Sequence, residues 1–261
     1  MLCVAAALLI SGCTTPHRTA SVPFRIGNNT VHAHVFQREQ PGPTYINVHD
    51  DENTSVRAGK KILTQTGGRL IELAHSGKRF VEFELDGQTY RFDPNRIFSP
   101  VGVRATLERT KNHSAAAQEA IEDFATRLLE TFALDRELVI IALHNTDGSG
   151  LSINSYLATG NKPTSASATY VSTNRFAGDF FYVTDGRFFD YLKQRDFNVT
   201  LQDDANVPDD GSASVYFARK GIPYVNVEAN VKHLKEQIEM VRIAREMVAH
   251  FDLIRSPELN H

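Results

Sequence analysis

The feature that most limits the fold is a run of six apolar residues, Leu138-Val139-Ile140-Ile141-Ala142-Leu143, that stops at His144-Asn145-Thr146. Its length suits a strand better than a helix, and its lack of polar alternation suits a strand covered on both faces. Such a strand needs helices on either side of its sheet, and the chain supplies them. Ser114 to about Phe132 puts Ile121, Phe124, Ala125, Leu128 and Leu129 on one helical face, with Ser114 able to cap its start. Residues 232–254 repeat the pattern with Leu234, Ile238, Val241, Ala244, Met247 and Val248. Ser55 to about Gln65, Gly186 to about Arg195 and Ser212–Lys220 read as shorter helices. Thr44–Val48, Arg69–Ala74, Phe180–Val183 and Pro223–Val227 read as strands. Arg79–Leu85 and Thr89–Phe92 pair through an Asp86-Gly87 turn. Val31–Phe36 alternates like an edge strand, and residues 145–174, rich in Gly, Ser, Thr and Asn, read as a long loop region. Strands alternating with helices predict one α/β domain, with a mixed, mostly parallel central sheet flanked by helices.

Composition narrows the chemistry. The net charge is -3, which gives no broad electrostatic case for a nucleic-acid partner. The two cysteines, Cys3 and Cys13, both precede the folded body. A disulfide framework, a cysteine-zinc site and a cysteine nucleophile are thereby excluded from it. A metal in the body must be held by His, Asp or Glu, and the chain has 10 histidines. Glycine patterns for phosphate loops and the Gly-x-Ser-x-Gly serine motif are absent.

The N-terminus reads as an address. Residues 1–12 are mostly apolar but too short for a permanent membrane span, and match a signal-peptide core. Leu9-Ile10-Ser11-Gly12-Cys13 resembles a bacterial lipobox. The expected organisation is a signal peptide over 1–12, a lipidated tether over 13–30 beginning at Cys13, and a folded domain over 31–261. This implies an extracytoplasmic protein, periplasmic or cell-surface, anchored to a bacterial membrane through acyl chains on Cys13.

Ionisable residues follow three of the apolar strands: His49 and Glu52, then His144, then Glu228. Ligands of open α/β sheets gather beyond the carboxyl ends of strands, so these side chains should meet. Two imidazoles and a carboxylate form a common ligand set for catalytic zinc, and a further glutamate can take a proton from water. The second His-x-x-Glu, at His233 and Glu236, lies on a Lys-flanked amphipathic helix and reads as a solvated face. His32 and His34 read as surface residues, and Asp203, Asp204, Asp209 and Asp210 as a solvated loop.

Four segments in order carry a family resemblance. They are His49-Asp50-Asp51-Glu52, Phe92-Asp93-Pro94-Asn95-Arg96, Ala142-Leu143-His144-Asn145, and Gly221-Ile222-Pro223-Tyr224-Val225-Asn226-Val227-Glu228. Together, over roughly residues 44–230, they resemble the zinc carboxypeptidases of the carboxypeptidase A type and the related succinylglutamate desuccinylase and aspartoacylase group. The resemblance implies a zinc carboxypeptidase-like fold with one zinc ion on His49, Glu52 and His144. It implies Asn95 and Arg96 as the residues that hold a substrate carboxylate or polarise the scissile carbonyl, and Glu228 as general base and acid. One departure concerns the tyrosine that the large digestive enzymes carry about 20 residues before the catalytic glutamate. Residues 203–210 hold none, so a capping phenol would come from elsewhere, with Tyr156 and Tyr170 as the candidates.

The expectation is therefore a zinc-dependent amide hydrolase acting on peptides or acylated amino acids that carry a carboxylate. Cell-envelope peptides, including peptidoglycan fragments, are suggested by location alone. A non-catalytic ligand-binding lipoprotein on the same fold and an N-acyl amino acid deacylase are the alternatives.

Overall fold

The apolar run forms strand β7 (Ile140–Thr146), buried at every position in the middle of a nine-stranded sheet. The structure is a computed structural model and describes residues 18–147 and 150–254. The expected signal segment 1–12 and the expected lipidation residue Cys13 lie outside the described residues. β7 runs parallel to β3 (Thr44–Asn47) on one side and to β11 (Tyr224–Asn230) on the other. β4 (Gly68–Ala74) extends the parallel run beyond β3.

The flanks complete the sheet with β1 (Arg18–Ile26), β2 (Asn29–Arg38), β8 (Ala166–Tyr170), β9 (Phe180–Val183) and β10 (Val199–Gln202). The order is β1-β2-β4-β3-β7-β11-β9-β10-β8. The sheet is mixed, with parallel pairing across its centre. The flanking pairings are antiparallel except that of β9 with β10. β5 (Val81–Leu85) and β6 (Gln88–Phe92) form a separate hairpin. Its turn residues Asp86 and Gly87 both have positive φ, 52° and 74°, which matches the right-handed twist of two short strands.

Helices cover both faces, and β7 shows why its sequence does not alternate. Ile140 and Ala142 pack into one core with Phe24, Ile46, Phe92, Phe124 and Phe217. Ile141 and Leu143 pack into the other with Tyr45, Ile62, Leu63, Phe181 and Met240. The first core lies under α2 (Pro100–Arg109), α3 (Ala115–Thr131) and α5 (Ala213–Arg219). The second lies under α1 (Asn53–Thr66), α4 (Gly186–Lys193) and α6 (Leu234–His250). Each fully buried side chain of this size contributes about 1.5–3 kcal/mol of transfer free energy. No helix among the described residues is long and apolar enough to cross a membrane.

The structure departs from the sequence reading at β10, for which no strand is expected, and in three other places. Residues 18–26, expected within a tether, form β1. Alternation buries Phe24 and Ile26 against the core, and Phe24 meets Phe124 edge-on at 5.9 Å between ring centres. β1, not Val31–Phe36, is therefore the edge strand. Residues 145–174 are not wholly loop, because β8 closes the opposite edge by pairing with β10. α2 was missed although Ser99-Pro100 announces it: the Ser99 hydroxyl accepts the Gly102 N–H, and proline occupies the first turn.

Candidate metal centre

The three parallel strands deliver the site. In their register, Thr44 and Tyr224 both lie opposite Ile140, and Glu228 lies directly opposite His144. Just beyond β3 the chain turns through His49-Asp50-Asp51-Glu52 into α1, with the Glu52 N–H donating to the His49 carbonyl at 3.2 Å. That turn brings two side chains from consecutive elements against the one from β7. His49 Nδ1 lies 2.8 Å from Glu52 Oε1 and 3.2 Å from His144 Nδ1, and His144 Nδ1 lies 2.9 Å from Glu52 Oε2. All three residues are buried. Among the described residues this is the one group of three or more such side chains whose donor atoms lie within 4.8 Å of one another.

The donor set fits a metal ion. Two nitrogens each at a zinc–nitrogen bond length from a tetrahedral ion sit about 3.3 Å apart, close to the separation of the two Nδ1 atoms. The far side of His49 is also prepared, since its Nε2 donates to Asp93 Oδ1 at 2.9 Å. A carboxylate on one ring nitrogen fixes the tautomer that turns the other's lone pair toward an ion. The sequence marks Asp93 only as part of a motif, and its service to His49 spans 44 residues of sequence.

Electrostatics sharpen the picture. Burial opposes the Glu52 carboxylate, but the adjacent His49 and His144 outweigh it and hold its pKa well below the usual range. Burial likewise opposes the His49 imidazolium, yet Glu52 and Asp93 raise its pKa to about 9. His144 goes the other way, because burial lowers its pKa more than Glu52 raises it. Glu228 stands apart. Burial, and then repulsion from Glu52, raises its pKa from 4.5 to about 8. Two carboxylates near each other thus have pKa values pushed in opposite directions, an arrangement that separates a ligand from a proton carrier.

A cavity of about 380 Å³ opens beside the cluster and is lined by Glu52, His144, Asn95, Arg96 and Glu228. Every site residue expected in the folded body therefore lines the cavity except His49, which is fully buried. Asn95 Oδ1 accepts the Ala213 N–H at 3.1 Å, tying it to the start of α5. Arg96 donates from Nη1 to the Asn95 carbonyl at 2.6 Å and lies 3.5 Å from Asp210. Of the two candidate phenols, Tyr156 lines the cavity, and burial and Glu228 push its pKa up. Tyr170 instead donates to Asp196 at 2.9 Å.

Other candidates have local roles. His32 and His34 both contact Ser21 on the outer sheet edge. His233 pairs with Asp179 at 2.7 Å rather than facing solvent freely. Asp209 and Asp210 accept N–H groups from Gly211 and Ser212.

Two cationic cavity residues carried no site assignment from the sequence. Arg79, read from the sequence only as the start of a hairpin strand, reaches Glu52 Oε1 at 2.8 Å. Lys162 lies half-buried in the cavity wall, where burial and then Arg96 lower its pKa. Behind the cluster, a buried polar network locks the strands. Asn145 Oδ1 accepts the Ser55 N–H at 2.9 Å, and its Nδ2 donates to the Ala229 carbonyl and to Gln237 Oε1. Gln237 in turn donates to the His144 carbonyl at 2.8 Å.

No protein family's sequence profile matches the chain, and no curated protein matches it. Solved structures do show likenesses. An aspartoacylase family protein from Mesorhizobium loti is 14% identical, with 93% of this chain and 72% of that chain covered and a TM-score of 0.42. A candidate metallopeptidase from Shewanella baltica is 15% identical, with 90% and 86% covered and a TM-score of 0.42. Another from Shewanella denitrificans is 16% identical, with 89% and 85% covered and a TM-score of 0.39. At these identities and scores the likenesses carry no function over to this chain.

Proposed function

We propose that the chain is a zinc-dependent hydrolase of amide bonds in peptides or acylated amino acids that carry a carboxylate. The observation that carries this reading is the buried His49–Glu52–His144 cluster, with Glu228 opposite His144 on the neighbouring strand and Arg79, Arg96 and Lys162 in the cavity wall alongside. His49, Glu52 and His144 would hold the ion, with Asp93 orienting His49. When bound, zinc would polarise the scissile carbonyl and lower the pKa of a water toward about 7.

This chain's own residues supply the remainder. Glu228 takes the proton from the attacking water and passes it to the leaving nitrogen, a double task suited to a carboxyl whose pKa is raised toward neutrality. Arg96 and Asn95 receive the substrate carboxylate, because a guanidinium fork matches a carboxylate with two parallel hydrogen bonds. Arg79, on the cluster side of the cavity, adds a second guanidinium near the developing oxyanion. The lipobox-like segment ending at Cys13 supports a membrane-anchored, extracytoplasmic setting, in which cell-envelope peptides are the substrates within reach.

The test combines metal content with turnover. Purified protein should carry one zinc per chain and hydrolyse members of a panel of N-acyl amino acids and short peptides. Glu228→Gln should abolish that hydrolysis while leaving zinc in place. Protein that binds no metal, or turnover unaffected by Glu228→Gln, would overturn the proposal. Preference within the panel separates a deacylase from a peptidase.

A further inference from the structure

The turn that carries His49 and Glu52 also carries a carboxylate that points the other way. Asp50 Oδ2 accepts three consecutive backbone N–H groups, from His75, Ser76 and Gly77, at 2.6, 2.7 and 2.6 Å. Successive amides curled around one oxygen form an anion nest. The curl passes through Gly77 at φ +69°, with open space where a Cβ would stand, so glycine is there for its backbone conformation. These three residues begin the connection between β4, which ends at Ala74, and β5, which begins at Val81. Two residues past the nest, Arg79 leaves that connection and reaches Glu52 Oε1 at 2.8 Å and Asp93 Oδ2 at 3.8 Å.

From this geometry we infer that Asp50 is a positioning residue for Arg79. One four-residue turn thus supplies two ligand candidates and, through the loop it clamps, sets a guanidinium beside them. A long side chain with 41% of its surface exposed gains little from an ion pair if its backbone is free to drift. Clamping the loop at residues 75–77 removes most of that freedom before the pair forms. The charge on Asp50 matters because the nest presents three donors to one oxygen, a demand that a carboxylate meets better than a neutral amide. For its catalytic meaning this inference rests on the metal-site reading above; the clamp itself does not.

The first experiment needs neither metal nor turnover. Arginine labelling with phenylglyoxal, read by mass spectrometry, should modify Arg79 several-fold faster in Asp50→Ala than in the unaltered protein, with Arg127 as an internal reference. Gly77→Val, which spoils the nest without touching the turn, should do the same and serves if Asp50→Ala fails to fold. Unchanged Arg79 labelling in either folded variant overturns the inference. The second experiment is a double-mutant cycle on kcat/KM. Asp50→Ala should cost about a hundredfold alone and nothing further once Arg79→Ala is present. Additive losses would mean a structural role only and would also overturn it. If the unaltered protein proves inactive, the hydrolase reading fails, while the labelling still decides the role of Asp50.

Discussion

Replacing Glu228 with glutamine should stabilise the metal-free protein, by an amount that grows with pH. Glu228 is 4% exposed, and burial followed by repulsion from Glu52 raises its pKa from 4.5 to about 8. An acid with a raised folded-state pKa holds its proton better in the folded chain. Near pH 4.5 and below, the group is protonated in both states and folding loses nothing. As pH rises toward 8, the unfolded chain releases the proton and the folded chain keeps it, so folding is opposed. At about 1.36 kcal/mol per pKa unit, the penalty has a ceiling of roughly 5 kcal/mol above pH 8. Relaxation of a buried site around a new charge brings the expected value to about 2–3 kcal/mol.

Glutamine removes this penalty and can still accept from Asn226 Nδ2, which lies 3.3 Å from Glu228 Oε2. The assay is urea denaturation of chelator-treated wild type and Glu228→Gln at pH 5, 7 and 8.5. The two should nearly coincide at pH 5, and the variant should be the more stable at pH 8.5. Added zinc should narrow the gap, because a cation at Glu52 offsets the repulsion that Glu228 feels. Equal stability at all three pH values, or a variant weaker at pH 8.5, would refute the placement of Glu228 in a buried site beside Glu52. Stability gained with turnover lost would identify Glu228 as a group kept for function.

Three further outcomes follow from the geometry. Asp93→Asn should weaken zinc binding about 10–100-fold in a chelator competition, because His49 Nε2 loses its charged acceptor. Asn145→Ala should cost about 1–3 kcal/mol in chemical denaturation, since it leaves Gln237 Oε1 without its buried donor and leaves the Ser55 N–H only its longer bond to the Glu52 carbonyl. Gly211→Ala, at φ +74° with the new Cβ 2.6 Å from the Arg96 carbonyl, should cost about 1–3 kcal/mol. It should also raise KM more than it lowers kcat, by displacing Arg96.

Much of the site could be read in one dimension because sheet geometry converts strand ends into neighbours. His49, His144 and Glu228 each come at or just past an apolar β-rich run, and parallel strands in register bring such positions to one edge. Glu52 follows His49 by one tight turn, a spacing short enough for local chain geometry to decide. Arg79 gave no comparable signal, since it follows a polar loop and is brought in by a carboxylate 29 residues earlier in the chain. Asn145 and Gln237 were hidden for a similar reason: one sits inside an apolar strand context, the other on an amphipathic helix, and neither pattern marks a network. β1 was misread because its alternation is short and follows a polar, proline-containing stretch, so only its packing against Phe124 distinguishes strand from tether.

By itself, then, the sequence determined an α/β sheet covered on both faces, the absence of thiol chemistry from the folded body, and the candidate donors His49, Glu52 and His144 with Glu228 nearby. Those follow from local periodicity and composition, which depend on residues close together in the chain. The tertiary structure alone decided that Asp93 backs His49, that Arg79 faces Glu52, that Tyr156 and not Tyr170 lines the cavity, and that Glu52 and Glu228 have opposite pKa shifts. Each of those depends on burial and on distances between groups from different elements. Hydrogen bonding and Coulomb interaction act through space, and a linear pattern carries no record of that space until the chain has packed.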